Sequence, residues 1–519
     1  MKMVKSLLLG SAAGLIAVAG AQAADLPVKA KPVQYVKICT LYGDGFYYIP
    51  GSDTCLKVFG YVRADYGYNV HTNVVHYSGD PGAQDRSPNR HPFTTRHRLN
   101  WSADARTQTA YGTLRAYTSL HVENRHTNDA NNVGDVEVTP QRAFIQWAGF
   151  TFGHINSYAD VPGQMGDSGM RSLHQMQTES TTGANGLNQI AYSWDLGNGM
   201  RLTVGADERR VKSLWNATGD TPATLAGSRI GGAPTSSRTG QYSHSPFVSF
   251  LVNQAWGTAG IAVIAQQNKA VNYTPAGSPV SDPRGDVIDA GSSVGLLGGS
   301  GCSIGVQSGT NECLHPDDKW GWGARAGAEF KLPMFGPGDR LLISGYYSEG
   351  STSFTGQNTS SPGLFGSERS VALGFATDAV YVNGGQFENT TAWSINAGFE
   401  HYWTPSFSNA LYGGYIEFSY NDAVINGAWF CGGGNVSPQA GQACDPGFAL
   451  YHIGFLTNWF PAPGFRLALD VLYTGIETAM PGDINVGRTR GLRPTGAYTA
   501  KNRGITSVMF RAQRNWGGN

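Results

Sequence analysis

The sequence predicts an all-β fold: a transmembrane antiparallel β-barrel of about 16 strands with long extracellular loops. Three observations carry this. Short segments alternate apolar and polar residues with period two, the connections between them alternate between short turns and long loops, and an export signal is followed by no apolar run long enough for a membrane helix.

The alternation is clearest at the C-terminus. Thr506, Val508, Phe510 and Ala512 share one face, and Ser507, Met509, Arg511, Gln513 and Asn515 share the other. A strand apolar outward and polar inward satisfies its backbone in lipid only when its neighbours close a barrel around it.

The N-terminus reads as a secretory signal, residues 1–23. Lys2 and Lys5 precede a short apolar stretch from Leu7 to Gly20, and Ala21-Gln22-Ala23 is a small-x-small cleavage site. The mature chain is expected to start at Ala24 or Asp25. Residues 24–55 form a periplasmic lead-in, and residues 56–516 form the barrel. Mean hydropathy is −0.26, as expected where lipid-facing and lumen-facing residues average out. With 70 glycines and 14% charged residues, the chain is turn-rich and charge-poor. The formal net charge is zero, which removes nucleic acid as a partner.

Taken in order, Leu56–Tyr68 sets Val58, Val62, Ala64 and Tyr66 against Lys57, Tyr61, Arg63 and Asp65. Arg98–Thr107 sets Leu99, Trp101, Ala103 and Ala105 against Arg98, Asn100, Asp104 and Arg106. Gly112–Leu120 follows with Arg115 and Tyr117 inward. Arg142–Trp147 has Arg142 and Gln146 inward, and Thr151–Tyr158 comes next. The remaining strands are Gln189–Leu196, Met200–Arg209, Ser243–Val252, Gly257–Gln267, Trp320–Lys331, Arg340–Ser348, Thr391–Trp403, Asn409–Tyr420, Phe448–Phe460, Phe465–Ile476 and Arg503–Trp516. Long connections at Asn69–Arg96, Val211–Gln241, Asn268–Lys319, Glu349–Asn389, Asn421–Gly447 and Glu477–Asn502 belong outside the cell, short turns in the periplasm. Trp147, Trp194, Trp256, Trp403, Trp459, Phe460 and Trp516 lie near strand ends, where an interfacial girdle belongs.

Arg63, Arg98, Arg106, Arg115 and Arg142 fall on the inward faces of four consecutive strands, a basic ladder on one wall. Arginine suits a lumen because it stays charged. The segment Asn156–Leu187 carries Asp160, Asp167 and Glu179. Folded inward, these carboxylates would face the arginines across a constriction and set a field that decides which ions pass. Left outside, the segment is a solvated loop.

Six cysteines occur as three close pairs, Cys39 with Cys55, Cys302 with Cys313, and Cys431 with Cys444. In an exported chain this favours three local disulfides among the 15 pairings that six cysteines allow. No Cys-x-x-Cys spacing supports a metal site. Gly291–Gly301 lacks the Gly-Lys-Ser/Thr ending of a phosphate loop, and His71, His76, His91 and His97 lack tight ligand spacing.

Several motifs together resemble the general porins of alphaproteobacteria of the Brucella and rhizobial type. They are Asp25-Leu-Pro-Val-Lys, the Cys39 to Cys55 segment with Gly-x-Gly-Phe-Tyr-Tyr-Ile-Pro-Gly-x-Asp-Thr, Leu56-Lys-Val-Phe-Gly-Tyr-Val-Arg63, Arg142-Ala-Phe-Ile-Gln-x-Ala-Gly-Phe-Thr-Phe-Gly153 and the closing Arg511-Ala-Gln-Arg-Asn-Trp516. The resemblance implies a 16-stranded, trimeric channel of the Gram-negative outer membrane for small hydrophilic solutes. It also implies a third extracellular loop, residues 156–187, folded into the lumen. The chain departs from such porins in its longer loops and in Gly-Gly-Asn after Trp516. The expected function is passive diffusion without cofactor or turnover. A substrate-selective channel, for example one with a sugar track, is the alternative, with Tyr61, Tyr117 and Tyr415 as inward candidates. An outer-membrane enzyme would need a Ser/His pair, which no motif supplies, and a soluble lectin-like β-protein would need polar outward faces.

Overall fold

The computed structural model describes residues 37–69, 93–126, 133–165, 172–174, 176–180, 182, 186–208, 214–216, 243–269, 280–281, 287–288, 318–356, 363–365, 370–374, 376–382, 386–426, 436–438, 443–486 and 496–517. Sixteen long antiparallel strands close on themselves. They are β1 Cys55–Tyr68, β2 Phe93–Thr109, β3 Gly112–His126, β4 Val133–Trp147, β5 Phe150–Ile155, β6 Leu187–Gly197, β7 Met200–Asp207 and β8 Ser245–Gln254. The circuit continues with β9 Gly257–Asn268, β10 Lys319–Lys331, β11 Arg340–Glu349, β12 Thr391–Thr404, β13 Phe407–Ser419, β14 Phe448–Ala462, β15 Phe465–Thr478 and β16 Arg503–Trp516. Closure is direct, since β16 pairs with β1 from Gly60↔Trp516 to Tyr68↔Val508. Sixteen strands are enough to leave an aqueous interior.

The period-two pattern explains the placement of side chains. In β16, Ser507, Met509 and Arg511 are buried inward while Phe510 is exposed outward. In β1, Arg63 and Asp65 point in, and Val62 and Tyr66 point out. Trp147, Trp194, Trp256, Trp403 and Trp459 all lie outward at the end bearing the short turns. Trp320, Trp322, Tyr347 and Trp393 form a second outward aromatic band near the long loops. Two such bands mark the two lipid–water interfaces.

Three strands run further than the alternation alone predicts. β2, β3 and β4 hold 17, 15 and 15 residues, against roughly 9–11 needed to span a bilayer, so this wall continues beyond the membrane. Conversely, the strand expected over Thr151–Tyr158 stops at Ile155. The chain turns inward at Asn156. Tyr415 is also corrected: Leu411 is exposed, so Tyr415 shares its outward face and pairs with the exposed Trp393 at a ring distance of 5.3 Å. The adjacent glycines 413 and 414 hide the parity in the sequence, and Tyr412 is the inward tyrosine.

At the long-loop end, short strands tie the loops to one another. Leu214–Asn216 runs parallel to Ala379–Val382, which pairs with Gln386–Asn389. A second sheet joins Gly363–Phe365, Ser370–Gly374, Gly496–Ala500, Gly482–Val486 and Val436–Pro438. At the opposite end a disulfide joins Cys39 to Cys55 with Cα atoms 6.0 Å apart. Cys444 is also disulfide-bonded. Cys302, Cys313 and Cys431 lie outside the described residues, as do residues 1–36 with the export signal, and His71, His76 and His91. His97 sits on the outer face of β2, its ring 6.1 Å from Tyr66.

Candidate pore constriction

The inner surface has two unlike halves. Along β1–β4 and β16 the inward side chains form an arginine-rich wall that carries its own carboxylates. Asp65 lies at the centre of one cluster. It accepts Arg96 Nη2 at 2.6 Å and Arg511 Nε at 2.6 Å, with Arg63 Nε at 3.4 Å. Arg98 pairs with Glu123 across the β2–β3 ladder. Nearer the short turns, Asp104 accepts two hydrogen bonds from Arg106, at 3.0 and 2.7 Å, and two from Arg115, at 3.0 and 2.9 Å. Arg115 Nη1 donates to Gln146 Oε1 at 2.9 Å. Arg142 is on the inner face of β4, donating to the Gln141 carbonyl, close to Gly186 where the inner loop rejoins β6.

The adjacency arises from pairing register. Arg63 stands opposite Arg98, and Arg106 opposite Arg115. Like charges directly opposite destabilise a ladder, so each opposed pair needs carboxylates beside it. Arg63 and Arg98 turn to separate ones, Asp65 and Glu123, whereas Arg106 and Arg115 share Asp104. Arg96 and Arg511 belong to the wall as well, beyond the five expected arginines. Arg511 shares the inward face of β16, and Arg96 lies within the expected loop Asn69–Arg96 because β2 begins already at Phe93.

The other half of the lumen, β9–β15, is covered by the segment after β5. It leaves β5 at Asn156, where Ser157 Oγ donates to Asp207 Oδ2 at 2.6 Å. Asp160 then accepts Arg325 Nη1 of β10 at 2.6 Å. Gly163, with φ +84°, brings its backbone so near the carbonyls of Ile343 and Ala328 that a Cβ would sit 2.3 and 2.7 Å from them. Gly327 meets the Pro162 carbonyl in the same way. Only glycine fits either position. Further on, Ser172 Oγ and the Leu173 N–H donate to Asp470 at 3.0 and 2.7 Å, and Tyr412 Oη donates to the same carboxylate at 2.7 Å. Returning, the Gln177 N–H donates to His452 Nε2 and Thr178 bonds Asn396.

Beneath these bonds Met165, Leu173 and Met176 are buried against Leu342, Leu456, Leu472 and Met509. Such burial is worth about 1.5–3 kcal/mol per large side chain. Inward leucines at water-filled positions would be costly; here they form the floor on which the loop lies. A second loop adds to it. Residues 351–356, after β11, are buried, and the Phe354 ring stacks 3.5 Å from the Arg325 guanidinium. Arg325 also donates to the Phe354 carbonyl at 3.1 Å and to Ser180 Oγ at 3.3 Å. One arginine therefore holds two loops.

The expected confrontation of loop carboxylates with the arginine wall has a different arrangement here. Asp160 is committed to Arg325 and Thr182. Glu179 is fully buried and accepts the Met165 N–H at 2.8 Å. Asp167 lies outside the described residues. A carboxylate in a loop that packs on a wall is used first by the nearest donors: for Asp160 these are Arg325 of the wall behind it and Thr182 of the loop, and for Glu179 the loop's own Met165 amide. Of the three tyrosines proposed for a sugar track, Tyr61 bonds His121 at 3.1 Å and Tyr117 stacks on Phe144, both inward, while Tyr415 faces lipid.

Comparison with known proteins agrees with this architecture. The family pattern described as "Porin subfamily" matches residues 25–508. The chain is similar to porin Omp2a of Brucella canis, 31% identical over 280 residues covering 50% of this chain and 71% of the relative. Against porin Omp2a of Brucella ovis it is 32% identical over 251 residues, 44% of this chain and 67% of the relative. In fold it is similar to the outer membrane channel DcaP of Acinetobacter baumannii, with a TM-score of 0.51 at 13% identity, covering 90% of this chain and 99% of the other. Closed barrel, inward loop and family match agree, and the chain belongs to the porin subfamily, a general diffusion channel of the Gram-negative outer membrane.

Proposed function

We propose that solutes cross between the arginine wall and the inward loop, and that this passage favours small hydrophilic anions. One observation carries the reading. Among the described residues, Lys57, Arg63, Arg96, Arg98, Arg106, Arg115, Arg142, Arg503 and Arg511 stand on the inner face of this wall against Asp65, Asp104, Glu123 and Glu137, nine positive groups to four negative. A lumen with fixed surplus charge concentrates counter-ions of the opposite sign. Asp160 and Glu179 act by fixing the loop, and Asp167 completes the acidic set of the constriction. Movement is passive, driven by the solute gradient, with no turnover. The protein assembles as a homotrimer in outer-membrane lipid after loss of residues 1–23, and the cysteine pairs 302–313 and 431–444 close as local disulfides.

Single-channel recording of the refolded protein in a planar bilayer under a KCl gradient tests this. Discrete steps with a reversal potential on the chloride side are expected. A potassium-side potential would refute the role given to the arginine wall. Native-gel mass and the N-terminal residue of outer-membrane material check trimer and cleavage.

A further inference from the structure

The arginine wall is interleaved with aromatic rings at its periplasmic end, and charge alone does not explain them. Arg106 and Arg115 share the single carboxylate of Asp104, so this triad keeps one net positive charge. Both arginine side chains remain 26% exposed. Arg106 spends Nε and Nη2 on Asp104, which leaves Nη1 without a hydrogen bond among the described residues. The rings bracket these groups. Phe46 and Tyr42 of the disulfide-closed segment lie 4.9 and 5.6 Å from Arg106. Tyr117 and Phe144 lie 5.1 and 5.3 Å from Arg115. Tyr117 and Phe144 stack at 4.9 Å and 16°, and Phe59 tilts against Tyr117 at 6.2 Å.

We propose that Arg106 and Arg115, with the rings of Phe46, Phe59, Tyr117 and Phe144, form a transit subsite for aromatic carboxylates. The carboxylate of such a solute takes guanidinium donors, for which its planar geometry is suited. Its ring lies on the partly exposed Tyr117 and Phe59, beside the Lys57 ammonium 5.7 Å over the Phe59 ring, in the offset or tilted arrangements that aromatic pairs prefer. An aliphatic anion would gain only the charge, and a neutral aromatic only the stacking. The rings also hold the guanidiniums in place by cation–π contact, so the subsite is largely set before a solute enters. The Cys39–Cys55 disulfide fixes the segment that presents Phe46. The inference rests on the channel reading above and goes beyond it in naming a preferred solute class.

The test is block of chloride current by added benzoate, compared with cyclohexanecarboxylate, which has the same charge and similar size but no π-face, and with acetate. Benzoate is expected to block at about fivefold lower concentration than cyclohexanecarboxylate, in line with the modest worth of an aromatic pair. Tyr117→Leu should erase the preference and Tyr117→Phe should keep it, each in protein whose heat-modifiable migration shows a folded barrel. Equal block by benzoate and cyclohexanecarboxylate, or a preference that survives Tyr117→Leu, would overturn the subsite. The chloride steps of the unaltered protein are recorded first. Their absence would refute the channel, whereas steps without benzoate preference refute the subsite alone.

Discussion

The two halves of the inner wall use the same residue types for opposite ends. On β1–β4 and β16, Asp65 and Asp104 pair with arginines of neighbouring strands, so the charges stay on the wall. On β9–β15, Arg325 and Asp470 pair with a loop, so the charges become its anchors. The difference lies in what surrounds them. The docked half has inward Leu342, Leu456 and Leu472 and glycines at 327, 398 and 414 where the loop approaches closely. Without that apolar, low-relief floor, a polar loop would have no reason to leave water. A charge near a barrel's axis therefore tunes permeation only where no loop has claimed it.

The comparison can be broken most forcefully at Arg325. Arg325→Ala leaves Asp160 only its Thr182 donors and frees the Phe354 ring, and removing one partner of a buried pair costs about 3–5 kcal/mol. Larger, noisier single-channel steps are expected from a barrel that still shows heat-modifiable migration. Unchanged steps would mean that the loop is held elsewhere. A milder cut is Tyr412→Phe, which takes one donor from Asp470 at about 1–3 kcal/mol. Hydrogen exchange at the Leu173 and Gln177 amides should quicken, and unaltered exchange would separate this contact from loop retention.

On the arginine half, replacing Arg63, Arg98 and Arg115 by Gln should change selectivity rather than loop position. A unit charge at about 4 Å is worth about 1 kcal/mol in water, so the chloride-to-potassium permeability ratio should fall severalfold and the reversal potential should move toward potassium. Conductance rising as it does for Arg325→Ala would merge the two halves into one network. The smallest effect is expected at Tyr415, on the lipid face. Tyr415→Leu should leave conductance unchanged and stability within about 0.5 kcal/mol, and any altered conductance would return this residue to the lumen.

Much of the site was legible because side-chain parity is a local property. Arg63, Arg98, Arg106, Arg115 and Arg142 were placed inward by counting twos along single strands, and no tertiary information was required. Parity failed at Tyr415, where two glycines left nothing to count from. The inner loop was a matter of resemblance, since its polar composition suits water as well as a wall. Its one sequence signal is the leucines at inward positions of β11, β14 and β15, which make sense only under a cover.

By itself the sequence determined the barrel, its strand count, the long-loop and short-turn ends, and the sign of charge on one wall. All of these follow from period-two alternation and from lipid forbidding unpaired backbone groups. The tertiary structure alone decided which carboxylate each arginine meets, that Asp160 turns back to Arg325 of the wall, and that Glu179 is spent inside the loop on the Met165 amide. It also decided that Phe354 closes over Arg325. Those contacts join residues as far apart as Asp65 and Arg511, and their geometry is set by ladder register and loop packing, which no window along the chain contains.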